Sequence, residues 1–484
     1  MTKTQNLSIA SVQKHKDLAY NLKDYEYSYV NPTNFNSGAE CVTFEFQTPS
    51  FPIRFLQTPI CVDYFIDYKN PEFQDGVAES NTNVKRKYFI PKSGVYIPPF
   101  VAYPFFQRCE IFVDGQLLHD SDQSSGLYQA CNRSVSTSQD RKTICGSDLE
   151  VNKRFGLSTV TRTAADYILP SDYAAVMSMA TCESDSQKRT RKAMVAFDGA
   201  PFLSPTKCFA ASKSRGFNVN ENTNIPIPPK TKMLIRLWRT SPSERFLAYD
   251  DETDNTYFDT TKTGEKMQDD VKIHVTDVKM YYESLNVDGT NMFTDRGLKY
   301  YFDTPDVRIA TIESGHKTTL HSFDIPKNAL GAYTFYMPEA SYYWLIQKKK
   351  FNAYRFTFPD DLQDVKFFTE DKPIIWKDGL TKIGKSSSGY VSEGAELLYK
   401  YMNEYGFIDR PFSDMFGADY NSYQQLPYLD FGLINKSKAP SKLSIESTWR
   451  DVGSPANHYL MCVFVTESTL TKDSRGVWSR DRHA

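Results

Sequence analysis

The chain carries no strong excess of either charge: 57 Lys and Arg nearly balance 59 Asp and Glu over 484 residues, a formal net charge of -2. A protein that grips nucleic acid over its whole surface shows a basic excess, so that function is excluded for the chain as a whole. A basic face within a neutral total is not. Cysteine is sparse too. The eight thiols, at 41, 61, 109, 131, 145, 182, 208 and 462, form no CxxC or CxxxC pair. So thin a spread is not the disulfide framework of a small secreted scaffold, and these read as reduced thiols, several of them small buried hydrophobes on strands. No apolar run approaches the ~20 residues of a spanning helix. The opening MTKTQNLSIASVQKHKDLAY has no apolar core of a signal peptide. The expectation is a soluble chain, intracellular when made, with no membrane-spanning segment.

Hydrolase signatures are also missing: neither GxSxG nor HExxH occurs. The seven histidines lie at 15, 119, 274, 316, 321, 458 and 483, and the closest pair, His316 and His321, is five apart. That spacing is poor for two ligands of one metal, and ordinary surface or interface histidines are the plainer reading. Asp250, Asp251, Glu252 and Asp254 could offer oxygen ligands to Ca²⁺, but the glycine of an EF-hand turn is missing, so a solvated loop is expected. Asp360-Asp361 and Glu370-Asp371 are read alike. No cofactor, metal or catalytic residue is assigned, and the expectation is a protein that is not an enzyme.

What is abundant is aromatic. With 31 Tyr, 33 Phe and only 5 Trp, beside 25 Pro and 23 Gly, the composition suits pleated half-buried surfaces broken by frequent turns. At this length two domains are the default. Val42, Phe44 and Phe46 alternate with Thr43, Glu45 and Gln47, and Met233, Ile235 and Leu237 with Leu234, Arg236 and Trp238: each is a period-two strand. In CEIFVDGQLLHD, Asp114-Gly115 sits between Ile111-Phe112-Val113 and Leu117-Leu118, as a two-residue hairpin turn requires. In VKIHVTDVKMYYESLNV the phase switches near Thr276, which predicts a long bent strand with Val271, Ile273 and Val275 on one face and Val278, Met280 and Tyr282 on the other.

A second strand block follows, through SGHKTTLHSFDIP, AYTFYMPEASYYWLI, FNAYRFTFP, DVKFFTEDKPIIW, LPYLDFGLI, SKLSIESTW and NHYLMCVFVTES, with a helix expected where Leu397, Leu398, Tyr401 and Met402 recur at helical spacing. The predicted organisation is an N-terminal arm over 1–38, a first strand block over 39–288 holding a helical and loop insertion at about 122–195, a second block over 289–470, and a loose polar tail over 471–484. Strands without βαβ alternation point to sandwiches.

Two basic runs, Lys188-Arg189-Thr190-Arg191-Lys192 and Lys348-Lys349-Lys350, read either as solvated loops or as contacts to packaged phosphates, and the first also as a nuclear-import signal. The triplets Asn132-Arg133-Ser134 and Asn435-Lys436-Ser437 fit the glycosylation sequon; a chain made inside the cell leaves them unused.

In order, CEIFVDGQLLHDSDQSSGLYQ, TKMLIRLWRTSPSERFLAY, VKIHVTDVKMYYESLNV, TLHSFDIP, YKYMNEYGF and HYLMCVFVTES resemble the major capsid protein of Polinton/Maverick elements and their adintovirus relatives. The resemblance spans roughly 100–470 and rests on the collinear set, since no single piece is diagnostic. It implies an all-β chain of two tandem jelly-roll sandwiches and a homotrimer forming a pseudo-hexagonal capsomer. It also implies neighbouring capsomers in an icosahedral shell, penton or vertex and minor capsid proteins as partners, at most weak non-specific contact with packaged double-stranded DNA, and a place in the virion. Two other readings stay open: a carbohydrate- or receptor-binding β-sandwich, and a single-jelly-roll vertex or minor capsid protein, against which two strand blocks argue.

Overall fold

Strands whose apolar residues fall on one face must bury that face against a second sheet, and the computed structural model shows this happening twice. It describes residues 22–68, 100–121, 191–203, 227–240, 271–287, 298–338, 359–374, 427–431, 440–450 and 454–481, apart from a few positions inside these spans, together with short pieces at 73–75, 87–89, 95–96, 128, 131, 247–248 and 379. The first sandwich runs through β1 (Leu22–Val30), β2 (Cys41–Gln47) and β3 (Ile53–Tyr68), then the short β4 (Phe73–Asp75), β5 (Lys87–Phe89), β6 (Val95–Tyr96) and β7 (Phe100–Val101). It continues with β8 (Phe106–Val113), β9 (Gln116–Asp120), β10 (Arg191–Ala196), β11 (Lys232–Arg239), the two-residue β12 (Leu247–Ala248) and β13 (Val271–Val287). The second comprises β14 (Leu298–Ile312), β15 (Thr318–Asp324), β16 (Ala329–Pro338), β17 (Leu362–Thr369), β18 (Lys372–Ile374), β19 (Tyr428–Asp430), β20 (Lys442–Trp449), β21 (His458–Lys472) and β22 (Trp478–Asp481).

Strand order identifies the architecture. In the first sandwich the sheets read β1-β13-β3-β10, with β7 added beyond β10, and β2-β11-β8-β9; in the second they read β14-β21-β16-β19 and β15-β20-β17-β18. Both follow one rule. Of eight main strands in chain order, the first, eighth, third and sixth make one sheet, and the second, seventh, fourth and fifth make the other. That interleaving is the jelly roll, and it occurs twice in one chain. The rule also sorts the connections by end. Residues 31–40, 69–105, 121–190 and 240–270 leave one end of the first sandwich, and 313–317, 339–361, 375–427 and 450–457 the corresponding end of the second. The opposite ends hold tight turns, at 48–52 and 114–115 in the first and at 325–328 and 370–371 in the second, with one longer connection each, 197–231 and 431–441.

The packing follows the alternation. Val42, Phe44, Ile111, Val113, Met233, Ile235 and Leu237 are buried in the first core, and Phe367, Leu443, Ile445, Trp449, Leu460, Cys462 and Phe464 in the second. The Asp114-Gly115 turn has φ of 48° and 83°, the left-handed pair that a two-residue hairpin needs, and it joins Val113 to Gln116.

The switch at Thr276 differs from expectation. Register slips between Val275 and Asp277, and Val275, Val278 and Met280 all enter the same core. The extra residue is a bulge, which resets the phase so that both halves of β13 point one way. At 298–312, where no strand was predicted, Pro305, Asp303 and Asp306 spoil the alternation; yet β14 pairs with β21 along its whole length. Within its sheet β14 is an edge strand, where proline is tolerated.

Two termini also depart from the sequence reading. Leu22–Val30, within the segment taken as an arm, is a strand pairing with β13. Its period-two signal is Tyr25, Tyr27 and Tyr29 against Asp24, Glu26 and Ser28, and Tyr27 and Tyr29 face out. At the other end the polar tail holds β22, which pairs with β21 and buries Trp478 to 2% exposure. The helices expected over 122–195 and at 397–402 lie outside the described residues except for Tyr128 and Cys131, which are helical and buried, and for 191–195, which are strand and belong to β10.

Candidate assembly surfaces

The sequence-derived candidates do not converge. His316 is exposed, 3.6 Å from Glu313, whereas His321 sits opposite Ile445 across β15–β20, with its Nε2 buried and without a hydrogen-bond partner. Burial lowers its pKa from the ordinary 6.5. The unfolded chain therefore takes up that proton first, and stability is lost as pH falls below about 6.5. His321→Leu should flatten that part of the stability-versus-pH curve relative to wild type, read by urea denaturation between pH 5 and 7.5; an unchanged difference between the two curves would remove His321 from the account.

Glu370 has φ of 49° in the β17–β18 turn and its Oε1 accepts hydrogen bonds from Ser441 N at 2.9 Å and Ser441 Oγ at 2.7 Å, so it ties two turns together. Asp361 is exposed. Arg191 and Lys192 belong to β10, opposite Tyr64 and Asp63. Asp250, Asp251, Glu252, Asp254, Asp360, Asp371, Lys188 to Thr190, Lys348 to Lys350 and both sequons lie outside the described residues. Cys109, Cys131 and Cys462 are fully buried, and burial pushes each thiol well above its usual range. Cys41, Cys109 and Cys462 are free thiols. Among the described residues no three of His, Cys, Asp and Glu gather as a metal site, and no helix is long and apolar enough to cross a membrane.

The sequence also contains one GxxxxGK[ST] spacing, GLTKIGKS at 379–386. In a P-loop it follows a strand and opens a helix within a βαβ unit. Here it follows β18 of an antiparallel sheet. A Cβ on Gly379 would come within 2.6 Å of the Val365 carbonyl, so this glycine serves close packing against β17. The rest of the segment is outside the described residues.

What the fold does assemble are broad faces and a joint. Across the outer face of β2-β11-β8-β9, Asp120 takes two hydrogen bonds from Arg108, at 2.7 and 2.8 Å. Glu110 lies 2.8 Å from Arg108 and 3.7 Å from Arg236, and the two guanidinium groups stack over Trp238 and Phe112 at 5.8 and 5.3 Å. On the other sheet of the same sandwich Tyr27 and Tyr29 are 60% and 51% exposed. Tyr29 stands 5.8 Å from Tyr281 and 5.5 Å from the Lys279 ammonium. In the second sandwich Leu320, on edge strand β15, is 61% exposed. Aromatic and arginine-rich faces of this kind suit protein–protein contacts.

The joint is built by β14, β21 and β22. Phe302, Leu470 and Trp478, from these three strands, belong to the core of the first sandwich. The Trp478 ring meets Phe202 edge-on at 6.1 Å, and its Nε1 donates to Asp114 Oδ2 at 3.1 Å. Arg480 stacks over Phe302 at 5.0 Å and donates to the Leu118 carbonyl at 3.2 Å and to His119 Nδ1 at 2.7 Å, which requires an unprotonated Nδ1. A sequence signal for this joint exists in the Asp473 to Gly476 turn followed by alternating Trp478 and Arg480, but nothing in it says which core receives the tryptophan.

No family model matches the sequence, and no curated protein matches it. Among solved structures, a chain of the Sputnik virophage determined by cryo-EM is 10% identical, with a TM-score of 0.49, over 96% of this chain and 89% of that one. The mavirus major capsid protein is 10% identical with a TM-score of 0.46, over 94% and 90%. The Faustovirus major capsid protein is 9% identical with a TM-score of 0.42, over 92% and 90%. The double jelly roll itself is established by the strand order given above.

Proposed function

We propose that this chain is the structural major capsid protein of a double-stranded DNA virus or virus-like transposon of the Polinton/Maverick and adintovirus kind. The observation that carries the reading is the repetition of one eight-strand order in a single chain. Two like blocks per subunit become six around a threefold axis, so a homotrimer offers near-hexagonal edges from one gene product. Cyclic closure makes the trimer, and its outer edges make the contacts that tile an icosahedral shell. Most of the long connections leave one end of each sandwich, where added length leaves both strand orders intact. The role is structural rather than catalytic, its place is the virion, and its partners are further copies of itself, vertex and minor capsid proteins and, weakly, packaged DNA.

Size-exclusion chromatography with light scattering, followed by negative-stain microscopy of each peak, tests this. A species of three times 55.5 kDa with hexagonal outlines or closed shells is expected. A monomer or dimer that forms no particles at any salt or pH would overturn the trimeric capsomer and favour the carbohydrate- or receptor-binding alternative.

A further inference from the structure

Four turns meet at the tight-turn end of the first sandwich, and backbone and side-chain hydrogen bonds tie them into one surface. Lys230 N donates to the Pro49 carbonyl at 3.2 Å, Asp114 N to the Lys232 carbonyl at 2.8 Å, and Trp478 Nε1 to Asp114 Oδ2 at 3.1 Å. From this surface three large apolar side chains project into solvent: Phe51 at 39%, Leu117 at 53% and Val477 at 46% exposure. Each stands in or beside a separate turn. Between them lie three exposed cations, Lys230, Lys232 and Arg475.

The carboxylates of the same turns, both on exposed residues, accept hydrogen bonds from nearby N–H groups. Asp114 accepts from Lys232 N at 2.9 Å as well as from Trp478. Asp473 accepts from Arg475 N at 2.9 Å and Val477 N at 2.8 Å. Lys230, Lys232, Arg475 and Lys472, the last 4.0 Å from Asp114, outnumber these two carboxylates, so the end of the sandwich presents an excess of positive charge around apolar tips.

We propose that this end of the first sandwich docks on an anionic lipid surface. Apolar tips enter the headgroup and acyl boundary while flanking Lys and Arg meet the headgroup charge, and neither element alone anchors stably. Duplex nucleic acid would use the cations but has no place for Phe51, Leu117 and Val477 along its phosphates. Among the described residues this surface is a row of turns. It belongs to the single chain, so its failure would leave the trimeric capsomer untouched.

The test is flotation of the full-length protein with phosphatidylcholine vesicles, with and without phosphatidylserine, and with double-stranded DNA as competitor. Binding is expected to the phosphatidylserine vesicles alone and to weaken with salt. Neutralising the three cations (K230Q, K232Q, R475Q) should weaken it by about 100-fold, at about fivefold for each charge near the surface. The F51S, L117S and V477S set should abolish co-flotation. All six side chains are exposed, so both sets should keep the wild-type melting temperature, and light scattering should show an unchanged oligomer. Three outcomes overturn the proposal: no co-flotation with phosphatidylserine vesicles, full competition by DNA with the serine set unaffected, or a serine set that changes the oligomer and not the flotation. The second would assign the surface to a polyanion, and the third to another copy of the chain.

Discussion

Trp478→Ala is expected to lower stability by about 3–5 kcal/mol, the range for removing a fully buried large aromatic, and to split one thermal transition into two. The indole is 2% exposed in a core otherwise built mainly by the first sandwich, yet it is carried by a four-residue strand whose ladder partner among the described residues is β21 of the second. Its loss removes the edge contact with Phe202, the hydrogen bond to Asp114 and the seat of the Lys472 ammonium, 5.2 Å above the ring. Each sandwich keeps most of its own core, so the coupling between them suffers most. Calorimetry reads both effects, because a two-state melt requires that the sandwiches unfold together. Trp478→Phe retains a ring against Phe202 and loses only the N–H, so it should cost less. A single sharp transition within about 1 kcal/mol of wild type, less than any fully buried aromatic truncation, would mean that β22 does not join the sandwiches.

Gly331→Ala should cost roughly 3 kcal/mol, the upper part of the range for overpacking. The sign is diagnostic. Adding a methyl to an unstrained glycine ordinarily stabilises by about 0.4–1 kcal/mol through the unfolded chain. At Gly331 the added Cβ would lie 2.3 Å from Tyr428 Oη and 2.5 Å from the Leu429 carbonyl. Gly331 stands where β16 slips register against β21, and β19 crosses it closely enough for Tyr333 and Tyr428 to stack edge-on at 4.8 Å. Tyr428→Ala in the same chain should recover part of the loss and no more, because the Leu429 carbonyl is backbone and stays. A double-mutant cycle by urea denaturation measures that coupling. Additive costs would show that Tyr428 is not what the methyl meets.

Elements where one face is apolar and the other polar were legible in the amino-acid order. β2, β8 and β11 follow the alternation of Val42 and Phe44, of Ile111 and Val113, and of Met233, Ile235 and Leu237. Asp114-Gly115 named its own turn, because few residue pairs take two successive positive φ values. β1 and β14 were not legible. Both are edges of their sheets, where a strand needs one ladder partner, tolerates Pro305 and exposes Tyr27 and Tyr29; period-two patterns of burial weaken there. The joint was hidden for another reason. A tryptophan in a polar tail shows that something covers it, and the covering residues, Phe202 and Asp114, are hundreds of positions away.

By itself the sequence determined an all-β chain with two strand blocks, because alternation and turn chemistry are local. It also determined which faces of the central strands are apolar. Only the tertiary structure decided how the strands interleave, since pairing β1 with β13 or β14 with β21 joins segments whose separation leaves no local trace. The bulge at Thr276, the edge role of β14, and the burial of Trp478 in the other sandwich's core were decided there as well. Each depends on what a distant strand presents across a ladder or a core, and that is a matter of packing rather than of neighbouring residues.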